Sequence, residues 1–324
     1  MIHTNNYETL FTRYTIPVEK NNGSIPQTLK DLQHLGAIAI TQDQKPHTFI
    51  HLLFNLVQKI HAFIFRRNKN STAETAFCHG MIITGKSAKG DKPNNLLIAH
   101  AVFNGIKTAD SNYLNIPSND VTELVIYLPK DENLRKLLIT HAKQTAFTPE
   151  KFLPEGETKK EHVGFSYLNM IRSVANNLRK RTQIKKVSEC SKQALAYAVA
   201  DLIKGNQFLD KKGRIQKFFC MSYAMTVLQS SMMINAMPDQ TKASLQILSR
   251  EKVANYVLER INKKSEDSVS RVYHENKICR LNGSFIMSSY AGKTLNKFSE
   301  RAPVPTGPLR TAVPMKEDVV IDTQ

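Results

Sequence analysis

The chain has no tryptophan, only four cysteines, and 13 each of glycine and proline in 324 residues. So few cysteines exclude a disulfide scaffold, and so little glycine and proline exclude a collagen-like chain. Acidic residues are also scarce, 28 against 45 Lys and Arg, which leaves a formal net charge of +17. No apolar run reaches the roughly 18 residues that a membrane span requires. The longest apolar stretch, Phe49 to Phe65, is broken by His51, Asn55, Gln58, Lys59 and His61. The opening residues, Met1-Ile2-His3-Thr4-Asn5, lack the basic-then-apolar order of a signal peptide. The expectation is a cytosolic chain where it is made, with its cysteines reduced. What is present, 41% hydrophobic and 23% charged residues, is the composition of a folded globular protein.

The positive charge is unevenly spread. Residues 151–220 hold 15 basic and six acidic side chains, more than half of the whole excess, whereas residues 71–150 balance eight against eight. Arg179-Lys180-Arg181 and Lys185-Lys186 form a local basic run. Such a run suits an anionic membrane surface or an acidic partner; the plainer reading is a solvated helix end. No Cys/His finger spacing or aromatic RNA-binding pattern accompanies it, so nucleic acid is not an expected partner.

Hydrophobic periodicity separates two kinds of segment. Residues 49–66 place Leu53, Leu56, Val57, Ile60, Phe63 and Ile64 on one face of an amphipathic helix. Ala76–Thr84, Leu96–Phe103 and Val121–Leu128 are short, apolar and bounded by turn residues, which predicts consecutive strands of a mainly antiparallel sheet. From Asp131 onward the pattern is helical, over Asn133–Thr145, Phe165–Leu178, Ser188–Lys204, Cys220–Met232 and Gln240–Asn262. Residues 1–48 carry turn signals and resist assignment. They are set apart as an N-terminal extension. Residues 236–302 form a C-terminal helical region, and 303–324, with four prolines, a flexible tail. Strands and helices segregated along the chain make an α+β pattern, a small sheet packed against helices.

A thiol at a helix N-terminus feels the positive end of the macrodipole, which favours the reactive thiolate. Cys190 and Cys220 each open a predicted helix; Cys220, with Phe218-Phe219 before it and Met221 after it, has the apolar setting of a cleft edge and is the better nucleophile candidate. Cys78 and Cys279 read as buried inert thiols. A cysteine nucleophile needs a base and a group to orient that base. Among ten histidines, His79 and His100 stand out because each lies inside a predicted strand. If those strands are neighbours, both imidazoles project from one sheet face; the alternative is two unrelated strand histidines. His51, His61, His141 and His162 lie on or beside helices and read as solvent-facing or locally packed. No zinc-type Cys/His spacing and no glycine-rich phosphate loop is present, so neither a metal nor a cofactor is expected.

The order His79-Gly80-Met81-Ile82-Ile83, Leu97-Ile98-Ala99-His100-Ala101-Val102, Gly105-Ile106 and, later, Phe219-Cys220-Met221-Ser222 resembles the permuted papain-like hydrolases, the NlpC-type and lecithin:retinol acyltransferase-like group. In that group the histidine strand precedes the cysteine helix. The resemblance spans about residues 50–235. It implies a circularly permuted papain-like catalytic domain over 49–235, with a basic helical insertion at about 150–205. It further implies Cys220 as the nucleophile, His79 as its base and His100 as the residue that orients His79. The activity implied is a cofactor-free cysteine hydrolase (peptidase or amidase) or acyltransferase, with a peptide, amide or acyl-lipid substrate. The alternative is a non-catalytic module docking through its basic insertion. The Lys/Asn/Ile-rich composition and proline-rich end resemble those of bacterial effectors exported into a host cell.

Overall fold

The computed structural model describes residues 9–17, 36–43, 77–86, 96–102, 105–110, 121–146, 184–276, 278–280 and 288–301. The chain is α+β. Seven strands, β1 (Phe11–Pro17), β2 (Ala37–Asp43), β3 (Phe77–Lys86), β4 (Leu96–Val102), β5 (Gly105–Asp110), β6 (Val121–Pro129) and β7 (Ser299–Arg301), form one sheet in the order β5-β4-β3-β2-β6-β1-β7. Every neighbouring pair is antiparallel except β1 and β7. The helices among the described residues are α1 (Glu132–Thr145), α2 (Ile184–Ile203), α3 (Cys220–Asn235), α4 (Asp239–Gln246), α5 (Arg250–Asn262), α6 (Ser268–Glu275) and α7 (Ser288–Lys297).

The sheet is larger than the sequence suggested. The three expected strands are β3, β4 and β6, and β2 lies between β3 and β6. β1 and β2 come from residues 1–48 and β7 from the C-terminal region, so one sheet draws on three of the segments set apart in sequence. The helices expected at residues 49–66 and 165–178, the run Arg179–Arg181 and the tail 303–324 lie outside the described residues.

Both faces of the sheet are buried, which is why its strands read as nearly continuous apolar runs. Ile38, Ile40, Ile82, Ala99, Ala101, Val125 and Tyr127 join the main core, which includes α3; Ala37, Ala39, Met81, Ile83, Ile98, Leu124 and Ile126 form a second cluster. α3 is buried on every side, from Cys220 to Ile234. Its sequence, CMSYAMTVLQSSMMIN, accordingly has apolar or small residues all round rather than an amphipathic stripe.

α1 begins at an Asp131 cap, whose carboxylate accepts the Asn133 and Leu134 N–H groups at 2.8 and 3.2 Å. It passes so close to β2 that a Cβ on Gly36 would sit 2.1 Å from the Arg135 carbonyl oxygen; Gly36 also has φ of +40°. The single helix expected over 240–262 is two, α4 and α5. The Ser249 hydroxyl accepts the Lys252 N–H at 3.3 Å and starts a new helix there.

α1 is joined to α3 by buried polar contacts. His141, read as solvent-facing or locally packed, is buried, with Nδ1 2.8 Å from Ser231 Oγ, and the Tyr223 hydroxyl donates to the Ala142 carbonyl at 3.1 Å. Burial pulls the His141 imidazole down from its ordinary 6.5 to about 4. Between those values the unfolded chain binds a proton there and the folded chain does not, so stability falls on acidification. Urea titrations from pH 6.5 to 4 are expected to show a loss of stability of which His141→Gln removes roughly 3 kcal/mol. An unchanged pH dependence in the variant would refute the assignment.

Candidate functional site

Cys220 occupies the first turn of α3. The residue before it, Phe219, has no side-chain acceptor with which to cap the helix, and Ser222 supplies the contact from the other side: its Oγ accepts the Phe219 N–H at 3.0 Å and donates to the Phe219 carbonyl at 2.9 Å. Half a capping box thus fixes where the helix starts, and with it the thiol. The hydroxyl of Ser222 is fully committed to this task.

The start of α3 packs directly on β3. A Cβ on Gly80 would lie 3.2 Å from the Met221 Cα and 2.5 Å from its sulfur, so a larger residue would press the helix off the strand. The β3–β4 ladder ends at the Ile82–Ala99 pair, and beyond it the Gly80 N–H serves the Cys220 sulfur. Backbone N–H groups of Met221 and of Cys220 itself also favour the thiolate. Burial outweighs them. The residue is 5% exposed, and dehydration of the sulfur pushes its thiol up, not down as the helix position alone suggests. The dipole and N–H groups are in place, but the sulfur has lost the water that would solvate a thiolate.

His79 and His100 meet. Extending the β3–β4 register past Ile82–Ala99 sets His100 opposite Met81 and makes His79 its diagonal neighbour on the same face. Long side chains bridge such a diagonal. His79 Nε2 lies 2.9 Å from His100 Nδ1, with the rings edge to face at 84°. His100 is buried, and its imidazole is held well below the ordinary value by that burial, then by the neighbouring His79 and by Lys107. A neutral His100 with its proton on Nε2 presents an unprotonated Nδ1, which accepts from His79 Nε2–H.

Of the three residues picked out in sequence, His79 and His100 meet through their rings, and Cys220 touches β3 through the Gly80 N–H. Cys190 does not join them. α2 begins at Ile184, so Cys190 lies six residues inside that helix and is exposed, without the N-terminal position expected of it. Cys279 is buried, its thiol pushed up to about 12 by dehydration. Two contributors escape the sequence reading. Ser222 sits three residues after Phe219, a recognisable capping offset; Lys107 lies on β5, a strand with too weak a pattern to be assigned. Among the described residues no cluster of three or more His, Cys, Asp or Glu is arranged to hold a metal ion, and no helix is long and apolar enough to cross a membrane.

No protein-family model, curated protein or solved structure matches the chain.

Proposed function

We propose that the chain is a cysteine hydrolase or acyltransferase of the permuted papain-like kind, acting on an amide, ester or thioester. One observation carries the reading: the Cys220 sulfur takes the N–H of Gly80 while the adjacent His79 is held by His100 at 2.9 Å. The sequence order, histidine strand before cysteine helix, supports the permutation.

In this reading the thiol rests protonated. As the Cys220 sulfur attacks the acyl carbon, its proton passes to His79 Nδ1, an S–C bond forms and the carbonyl electrons move to oxygen. Backbone N–H groups at the start of α3 steady that oxygen. The oxyanion then collapses, the bond to the leaving group breaks, and the leaving atom takes the proton from His79. Cys220 is left as a thioester. Water, or the nucleophile of an acceptor, attacks it with His79 again as base, and the thiol returns. His100 accepts the Nε2–H hydrogen bond of the transient imidazolium throughout.

An acyl thioester offered in excess tests the proposal by intact mass and peptide mapping. The expected result is one acyl group, on Cys220, absent from Cys220→Ala and formed more slowly by His79→Ala. Acylation confined to Cys190, or none in the wild type, would overturn it.

A further inference from the structure

The basic excess of residues 151–220 runs on into the segment that leads to Cys220. Residues 204–217 hold five basic side chains, Lys204, Lys211, Lys212, Arg214 and Lys217, against one acidic, Asp210. They fold as a short hairpin closed by the Leu209–Ile215 bridge. The Asp210 N–H donates to the Arg214 carbonyl at 2.7 Å, and its carboxylate accepts the Lys212 and Arg214 N–H groups at 2.8 and 3.0 Å. Gly213 supplies the left-handed step of the turn, with φ of +75°. The same carboxylate takes the Arg214 guanidinium at 2.6 Å, so the one acid is occupied within the turn. Lys211, Lys212, Arg214 and Lys217 are all exposed.

Beside the hairpin stands Ile247, 85% exposed, the one large apolar side chain left in solvent among the described residues. It lies in the turn between α4 and α5, where Leu245 is buried and Leu248 packs on the core, so the turn is anchored without it. That turn is held to the hairpin base from both sides. Lys204 Nζ donates to the Gln246 carbonyl, and Arg250 donates to the carbonyls of Leu209 and Asp210. A lone exposed isoleucine is ordinary on a protein surface. One set beside a hairpin with four exposed cations matches a bilayer, where anionic headgroups lie over an apolar layer. We propose that the 204–217 hairpin and Ile247 form a docking surface for an anionic lipid membrane, the cations meeting headgroups and Ile247 entering the acyl boundary. An acidic protein or a nucleic acid would use the charge and leave the isoleucine idle. The rigid turn presents its cations at little ordering cost. This surface is independent of the chemistry at Cys220.

Ile247→Trp tests insertion directly, because the chain has no tryptophan of its own. The full-length variant is titrated with vesicles of phosphatidylcholine alone and of phosphatidylcholine and phosphatidylserine in equal parts. Its emission is expected to move to the blue on the mixed vesicles and to stay unmoved on phosphatidylcholine alone. In cosedimentation the wild type is expected to bind the mixed vesicles and to leave them at high salt. A cation near an anionic surface strengthens binding about fivefold, so Lys211→Gln with Lys212→Gln should weaken it about 25-fold. Lys211→Arg with Lys212→Arg should keep it. Ile247→Asn should also weaken binding, which attraction between charges alone does not explain. Unaltered binding in the double glutamine variant, or loss only on replacing Arg179, Lys180 and Arg181, overturns the proposal. So does an emission that stays unmoved on mixed vesicles to which the protein binds. Tight binding of duplex DNA, with neither vesicle bound, overturns it in favour of a nucleic acid.

Discussion

Cys220→Ala is expected to abolish turnover, with a loss of about 10⁴-fold or more in kcat. No other group replaces the sulfur, because the nearest hydroxyl, Ser222 Oγ, is held between the N–H and the carbonyl of Phe219. His79→Ala should cost nearly as much. Burial keeps the thiol in its unreactive protonated form, so attack depends on a base to receive the proton. The effects should not add: with the base gone, removing the nucleophile changes little more. In the proposed mechanism His100 positions His79, and His100→Ala should lower kcat about 10²-fold with KM nearly unchanged, the scale of a misplaced catalytic group. His100→Asn, whose side-chain oxygen still accepts from His79 Nε2, should recover most of that loss, which a merely structural role would not explain. Activity in Cys220→Ala with none in Cys190→Ala would place the nucleophile on α2 and refute the arrangement.

Cys220, His79 and His100 are legible in sequence for a local reason. β3 and β4 carry long apolar runs, and a histidine inside such a run is conspicuous; Cys220 sits where an apolar pair meets a helical pattern. β1 and β2 are not legible. Phe11–Pro17 mixes Thr and Arg with its apolar residues, and its partner, β6, lies more than a hundred residues away, so its identity as a strand is settled by pairing rather than by pattern. β5, GIKTAD, is polar because it is the edge of the sheet, and a polar edge strand resembles a loop. The sequence misleads on the direction of the Cys220 titration because position on a helix is local, whereas dehydration depends on what packs over the sulfur. His141 shows the same limit: a histidine on a mixed helix face carries no sign that a second helix will bury it.

The loop that delivers Cys220 is held by a buried ion pair, and breaking that pair is expected to destabilise the fold severely. Asp201, on α2, is fully buried; its carboxylate takes the Arg250 guanidinium in a two-pronged contact, Nε to Oδ1 and Nη2 to Oδ2, the second at 3.0 Å. The same carboxylate accepts the Leu209 N–H at 2.9 Å, and Arg250 donates to the carbonyls of Leu209 and Asp210 at 2.8 and 3.1 Å. Arg250 is the first residue of α5, where a cation opposes the helix dipole, so its place there depends on Asp201. Four elements meet at this pair: α2, α5, the 204–219 loop and, through that loop, the start of α3. Asp201→Ala strands a buried guanidinium and should lower stability by about 3–5 kcal/mol, and Arg250→Met strands a carboxylate at a similar cost. The double variant Asp201→Leu, Arg250→Met leaves no buried charge and should recover much of the loss, since apolar replacements of buried pairs are often neutral. Urea midpoints at constant m-value measure all three. A double variant as unstable as the sum of the singles would show that Asp201 and Arg250 act through separate contacts, not through each other.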